Sequence, residues 1–179
     1  VKGGDGADTI HGGTGNDTIT SGSGNDYIEG ASGSSVINSG AGNDTIYAEG
    51  SAGTTATINA GAGDDVIYAG KGTDILTGGD GKDTFVWNNV DNLGGNDKVT
   101  DFVRGEDKIS FEGLLAQGNM DFASTGTPRS FIYNDGNGAT IEVFFSNNKT
   151  MLLTLTVNGQ KQVITVGAKE GNVFYDNDN

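Results

Sequence analysis

The chain has 179 residues, of which 32 are glycine and one is proline, and only 34% are apolar. A conventional two-layer core is therefore not expected to span the whole chain. The 24 acidic and ten basic side chains give a formal net charge of -14, which disfavours nucleic acid and anionic membranes as partners and attracts cations.

Any bound metal must be held by oxygen. The chain contains no cysteine and a single histidine, which excludes disulfides, thiolate zinc sites and histidine zinc clusters. No apolar run approaches the roughly 20 residues of a membrane span, and the first residues carry no signal-peptide pattern. Because the chain starts without methionine and beside a repeat, we expect it to be a segment of a longer protein.

Residues 3–86 form nine units of nine residues, with one three-residue insertion at 48–50. Position eight of every unit is apolar, and the residues there are Ile10, Ile19, Ile28, Ile37, Ile46, Ile58, Ile67, Leu76 and Phe85. Position six is aspartate in seven units, at Asp8, Asp17, Asp26, Asp44, Asp65, Asp74 and Asp83. The repeat therefore places one apolar side chain and one carboxylate at constant spacing.

A period of nine fits neither a helix nor a long amphipathic strand. It predicts a six-residue turn followed by a three-residue strand whose middle side chain points inward. Two units then make one coil of a solenoid, and like residues of successive coils lie about 4.8 Å apart in columns.

The turns have the composition of a calcium cradle. Calcium takes six to eight hard oxygen ligands in flexible geometry, many of them backbone carbonyls. Glycine tolerates positive φ and close backbone approach, so it allows carbonyls to converge, and aspartate adds charge on a short arm. Several Ca²⁺ ions are therefore the predicted cofactor.

The units GGTGNDTIT (12–20) and GGDGKDTFV (78–86) resemble the calcium-binding nonapeptide of RTX (repeats-in-toxin) proteins. The resemblance covers residues 3–86 and implies a β-roll, in which two parallel sheets are joined by calcium-filled turns. It also implies that each ion lies between successive turns on one edge and takes an aspartate from each. The predicted fold class is all-β, a parallel β-roll with a β-rich C-terminal cap.

Alternate units share an edge of the solenoid. Edge one, formed by the odd units, has a complete column of aspartates at Asp8, Asp26, Asp44, Asp65 and Asp83. Edge two, formed by the even units, carries Asp17, Ser35, Ala56 and Asp74 in the same positions. We therefore expect the calcium ions mainly on edge one, with edge two weak or free of metal.

The same column predicts that folding needs the metal. Two carboxylates about 4.8 Å apart repel by roughly 3 kcal/mol at an effective dielectric constant near 20. Residues 1–86 also contain 21 glycines, whose ordering is entropically expensive, and 12 acidic against three basic residues. We expect a disordered chain at low calcium that folds as it binds calcium.

The repeat loosens after Val86. By continued parity Asp97 faces Asp74 and Asp107 faces Asp83, and both join the predicted metal ligands. This passage resembles the region that closes the β-rolls of serralysin-type proteases. We place the β-roll with its closing turns at 1–110.

Residues 111–179 are predicted to form an antiparallel β-rich cap. Strand-like runs are joined by NDGNG (134–138) and NGQ (158–160), which favour hairpin turns. In the family that the repeats resemble, many proteins hold an uncleaved type I export signal near the C-terminus, which is the alternative interpretation of this region.

The predicted function is a calcium-binding module of an exported, extracellular bacterial protein, which aids secretion and stabilises or displays other domains of the same polypeptide. No catalytic residue is predicted, because a lone histidine and the absence of cysteine leave no nucleophile set. The alternatives are a polysaccharide-binding module, because the layout is similar to the R-modules of mannuronan C-5 epimerases, and the end of a calcium-dependent adhesin.

Overall fold

The computed structural model describes residues 1–111, 113–114, 119–120, 130–134, 136, 138–147, 149–172 and 174. These residues form seventeen β-strands and one 3₁₀ turn at Val90–Asn92. The strands are β1 Lys2–Asp5, β2 Thr9–Gly13, β3 Thr18–Ser23, β4 Tyr27–Ala31, β5 Val36–Ala41, β6 Thr45–Tyr47, β7 Thr57–Ala62, β8 Val66–Tyr68, β9 Ile75–Asp80, β10 Thr84–Val86, β11 Asn96–Phe102, β12 Lys108–Ser110, β13 Asn119–Met120, β14 Ser130–Asn134, β15 Ala139–Asn147, β16 Thr150–Val157 and β17 Gln160–Ala168.

The strands form two sheets that face each other. Sheet A has ten strands in the order β1-β3-β5-β7-β9-β11-β17-β16-β15-β14, and sheet B has seven in the order β13-β12-β10-β8-β6-β4-β2. Strands β1 to β12 pair in parallel with the strand of the next coil. The odd units thus contribute their strands to sheet B, and the even units contribute theirs to sheet A. The predicted parallel β-roll is confirmed.

The register places the position-eight side chains in two columns between the sheets. In sheet B, Ile46 pairs with Ile67 across the 48–50 insertion, and in sheet A Ile37 pairs with Ile58. The insertion therefore leaves the alternation of the two edges unchanged, as predicted. All nine position-eight residues are at most 5% exposed, because each lies in the middle of a strand with its neighbours pointing outward.

The C-terminal strands extend sheet A. Strands β14 to β17 pair antiparallel with one another, as the hairpin turns predict, while β17 pairs in parallel with β11. The cap thus covers the edge of the last coil in sheet A by adding strands to it. In sheet B the last coil is followed by the short strand β13.

The end of the chain bears on the predicted export signal. Residues 175–179 lie outside the described residues, so that signal stays a prediction. Among the residues that the structure describes, no helix has the length and apolar character needed to span a membrane.

Candidate metal centre

The edge-one aspartates are joined into a ladder by hydrogen bonds. In each step the backbone N–H of one aspartate donates to Oδ1 of the aspartate one coil further on. The N–H of Asp8 donates to Asp26 (2.8 Å), that of Asp26 to Asp44 (2.8 Å), that of Asp44 to Asp65 (2.7 Å) and that of Asp65 to Asp83 (3.0 Å). One oxygen of each carboxylate is thus used to align successive turns.

The second oxygen of these carboxylates has no hydrogen-bond partner in the described part of the chain. This holds for the Oδ2 atoms of six position-six aspartates, each buried: Asp8, Asp17, Asp26, Asp44, Asp65 and Asp83. A buried carboxylate oxygen without a donor is strongly unfavourable, so such atoms are rare in stable folds. The set contains all five aspartates of edge one and a single aspartate of edge two, and a bound cation would satisfy it.

Backbone carbonyls point along the same edge. A Cβ added to Gly40, at position two of its turn, would lie 2.0 Å from the carbonyl oxygen of Gly22, and one added to Gly42 would lie 2.1 Å from that of Gly24. Both receiving glycines have positive φ, 113° for Gly40 and 125° for Gly42. Each turn therefore directs two carbonyls at the next turn, and only glycine allows that approach.

The donor set fits calcium. Among the described residues, no group of three or more histidine, aspartate or glutamate side chains is placed to hold a metal ion, so side chains alone do not complete a coordination sphere. The remaining ligands must be backbone carbonyls, which are hard oxygen donors of the kind that calcium accepts in large number. A zinc or copper centre, which prefers nitrogen and sulfur ligands, has no support here.

Edge two is built differently. Asp74 accepts the N–H of Ala56 on Oδ1 (3.1 Å) and the N–H of Gly70, in its own turn, on Oδ2 (3.0 Å). In the fourth unit, on the same edge, serine replaces the position-six aspartate. The Ser35 hydroxyl accepts the N–H of Ala31 in the same way (3.1 Å). The position-two N–H therefore occupies the carboxylate or hydroxyl that would otherwise face a metal.

The conformation at position two separates the two kinds of turn. The six turns with an unpartnered Oδ2 all have a positive-φ glycine at position two: Gly4, Gly13, Gly22, Gly40, Gly61 and Gly79. Gly70 is not among the positive-φ glycines. The insertion packs directly against this turn, since a Cβ on Gly70 would lie 1.6 Å from the carbonyl oxygen of Glu49, which also accepts the N–H of Lys71 (3.0 Å).

Asp97 and Asp107 lie where continued parity places them. The N–H of Asp74 donates to Oδ1 of Asp97 (2.8 Å), and the N–H of Asp83 donates to Oδ1 of Asp107 (3.0 Å). Their Oδ2 atoms also have protein donors, which are Val103 N–H for Asp107 (2.7 Å) and two side chains for Asp97. Both carboxylates thus differ from those of edge one.

A family model of the RTX calcium-binding nonapeptide repeat, written as four copies, matches residues 2–37, 29–52 and 52–85. Residues 2–85 are thus RTX calcium-binding nonapeptide repeats. The RTX match covers the six turns with an unpartnered Oδ2, and it ends before Asp97 and Asp107, whose oxygens are all partnered.

Two solved structures resemble the chain in fold. The R3 subunit of the mannuronan C5-epimerase AlgE6 from Azotobacter vinelandii is 22% identical, with a TM-score of 0.32 over 85% of this chain and 71% of that one. The R2 subunit of the same enzyme is 20% identical, with a TM-score of 0.32 over 94% of this chain and 84% of that one. No curated protein sequence matches the chain.

Burial makes the RTX carboxylates hard to ionise without a cation. It raises the pKa of Asp65 to about 7, and the negative charges of Asp44 and Asp83 add to the rise. Burial likewise raises the pKa of Asp83 to about 6, helped by Asp107 and Asp101, and it raises the pKa of Asp44. A divalent ion between the turns would remove this penalty, since it stabilises the ionised form.

These shifts predict a pH-dependent calcium requirement. The metal-free fold holds protons that the unfolded chain has lost, so its stability is full below about pH 4 and is lost as pH rises to about 7. Between about pH 7.5 and about pH 5.5 the unfolded chain and the calcium-bound fold both lack these protons, so a lower pH stabilises only the metal-free fold. We expect the calcium concentration at half-folding to fall as pH falls through that range. Circular dichroism during calcium titration at several pH values measures it, and a pH-independent midpoint would contradict the assignment.

Some site residues could not be found from the repeat. Trp87 and Gln162 donate to Asp97, and Lys169 contacts the last turn of edge one. The contact of Trp87 with Asp97 could have been predicted, since a buried indole N–H needs an acceptor and Asp97 is only ten residues away. Gln162 and Lys169 lie outside the repeats and carry no motif.

Proposed function

We propose that this chain is a calcium-driven folding module of an exported bacterial protein. The proposal is carried by one observation, the row of buried Oδ2 atoms along edge one for which the described residues supply no hydrogen-bond donor. A fold that aligns five such carboxylates is costly until cations enter, and the free energy of calcium binding then becomes folding free energy.

The four gaps between successive edge-one aspartates would hold the ions. Each gap would offer carboxylate oxygens, together with carbonyls of the position-two and position-four residues. Asp17, on edge two, would contribute to a weaker site, because the next turn has Ser35 in place of aspartate. Asp74, Asp97 and Asp107 were predicted as ligands from the sequence, and we now propose structural roles for them because protein donors occupy both of their oxygens.

The biological role follows from where calcium is abundant. In a low-calcium cytosol the RTX segment would remain unfolded and suited to export, and in millimolar calcium outside the cell it would fold. The folded roll and its β-rich cap, divided near residue 110, would then stabilise or display other domains of the same polypeptide. We assign the module no catalytic role.

The direct test is circular dichroism of the chain during calcium titration. We expect a largely disordered spectrum in chelator and a cooperative gain of β-structure with calcium, while magnesium at the same concentration has little effect because it demands rigid octahedral geometry. A chain that is already folded in chelator would overturn the proposal.

Polysaccharide binding and an adhesin role stay predictions. On the outer face of sheet B, Tyr47 and Tyr68 stack on each other with ring centroids 4.3 Å apart and planes 4° from parallel, so one face of each ring is covered by the other. Glu29 lies on the same face and hydrogen-bonds Tyr27. This surface therefore does not favour an anionic glycan, and retention on immobilised alginate with and without calcium would test it.

A further inference from the structure

Strand β17 runs from edge two of the roll to edge one. It pairs in parallel with β11, from Asn96 opposite Val163 to Phe102 opposite Ala168. Since β11 starts at the last turn of edge two and ends at the closing turn of edge one, the two ends of β17 lie beside the ends of both aspartate columns. Gln162 lies near its start, and Lys169 follows its last residue.

At edge two, Gln162 completes the hydrogen bonding of Asp97. Its Nε2 donates to Oδ2 of Asp97 (2.8 Å), and its Oε1 accepts the N–H groups of Gly94 (3.0 Å) and Gly95 (3.1 Å). The indole N–H of Trp87 donates to the same Oδ2 (2.7 Å). Gln162 and Asp97 are 1% and 2% exposed, so neutral donors from the protein satisfy a buried carboxylate at this end.

At edge one, Lys169 meets the last carbonyl of the position-two column. Carbonyls of that column point from coil to coil, and the carbonyl of Gly61 lies 1.9 Å from a Cβ added to Gly79. The carbonyl of Gly79 is the next in line, and it accepts from Nζ of Lys169 (2.5 Å). The same ammonium lies 2.8 Å from Oδ1 of Asp80, and the backbone N–H of Lys169 is held by Phe102 (3.0 Å).

Acidic side chains lie around Lys169, as they would around a bound cation. Asp101 closes the same turn, since its carboxylate accepts the N–H groups of Gly78 (3.0 Å) and Gly79 (2.8 Å). The lysine ammonium thus contacts the carbonyl oxygen that continues the position-two column and the carboxylate of Asp80, with the carboxylate of Asp101 on the same turn. Unlike a bound metal ion, this cation is covalently part of the chain and cannot dissociate from it.

We propose that β17 ends both aspartate columns with protein groups: the Lys169 ammonium takes the place of a cation at edge one, and the Gln162 amide satisfies the buried carboxylate of Asp97 at edge two. The inference rests on the proposed calcium function. The metal-dependent part of the roll then ends at Asp83, and the end next to the cap is held together without metal.

The test compares Lys169→Met with Lys161→Met, an exposed lysine of the same strand, in the full chain. Native mass spectrometry counts bound calcium, and circular dichroism gives the calcium concentration at half-folding. We expect Lys169→Met to need more calcium to fold and to bind one further ion than the wild type, while Lys161→Met matches the wild type. Equal counts and equal midpoints in both variants would overturn the proposal.

Two further variants guard the result. If Lys169→Met does not fold at any calcium concentration, Lys169→Arg decides, since retained charge should restore wild-type behaviour and failure to fold would contradict a cation role.

Gln162→Glu places a second carboxylate against Asp97, so we expect a new calcium requirement at that edge and one further bound ion. An unchanged calcium midpoint and an unchanged ion count would overturn the proposed role of Gln162. A wild-type chain that ignores calcium would instead refute the proposed function itself.

Discussion

Changing Asp26, Asp44 and Asp65 together to asparagine should abolish calcium-driven folding while increasing residual structure in chelator. Asparagine keeps the Oδ1 acceptor that joins successive coils and removes the charge at Oδ2, so the ladder survives and its repulsion disappears. Each removed carboxylate pair relieves roughly 3 kcal/mol of repulsion at an effective dielectric near 20. Circular dichroism in chelator and in calcium measures both effects, which have opposite sign.

The matched control removes the same charge elsewhere. Asp91, Glu106 and Glu170 are exposed, so their change to amides should leave the calcium midpoint close to that of the wild type. If this control triple were as damaging as the edge-one triple, net charge and not the aspartate column would govern folding. A second comparison, Asp17→Asn with Asp74→Asn, should be milder than the edge-one triple, because only Asp17 of that pair has an unpartnered oxygen.

Replacing Gly61 by alanine should prevent folding at calcium concentrations that fold the wild type. Gly61 has a φ of 115°, and an added Cβ would lie 2.1 Å from the carbonyl oxygen of Gly40. The backbone strain is worth about 1–3 kcal/mol, and the overlap with a backbone atom adds about 1–3 kcal/mol more because the adjacent coil cannot move away alone. The measured quantity is the calcium concentration at half-folding.

Gly4→Ala separates the two causes. Gly4 occupies the same position of the first turn, with a φ of 147°, but nothing lies within 4 Å of an added Cβ. It should therefore show the strain without the overlap and fold at a calcium concentration between those of the wild type and Gly61→Ala. Equal effects of the two substitutions would show that close packing of carbonyls between coils does not matter.

Much of the roll could be predicted because the residue pattern within each nine-residue unit specifies its own turn and strand. The isoleucine column follows from one apolar residue per period, and the register follows from stacking identical turns, so Ile46 opposite Ile67 needed no distant information. The antiparallel cap was predictable from its hairpin turns. What the sequence did not predict is that β17 pairs in parallel with β11, since strand order in a mixed sheet depends on which edge is free.

The sequence did not distinguish candidate metal ligands from aspartates whose oxygens are satisfied by protein donors. Asp74 and Asp65 occupy the same position of similar units, yet Asp65 has an unpartnered oxygen and Asp74 does not. The difference lies in the N–H of Gly70, which donates to Asp74, and the backbone of Glu49 from another coil packs against this glycine. Position in the repeat does not contain that information.

The sequence by itself determined the solenoid, its two edges and the concentration of carboxylates on one of them, because these features repeat locally and need only stacking to appear. Tertiary structure alone decided which carboxylate oxygens lack a protein partner and how the columns end. Asp97 meets Gln162 across 65 residues, and Lys169 meets Gly79 across 90. Such contacts arise because β17 joins sheet A beside the last coil, and no local pattern specifies where a distant strand will pair.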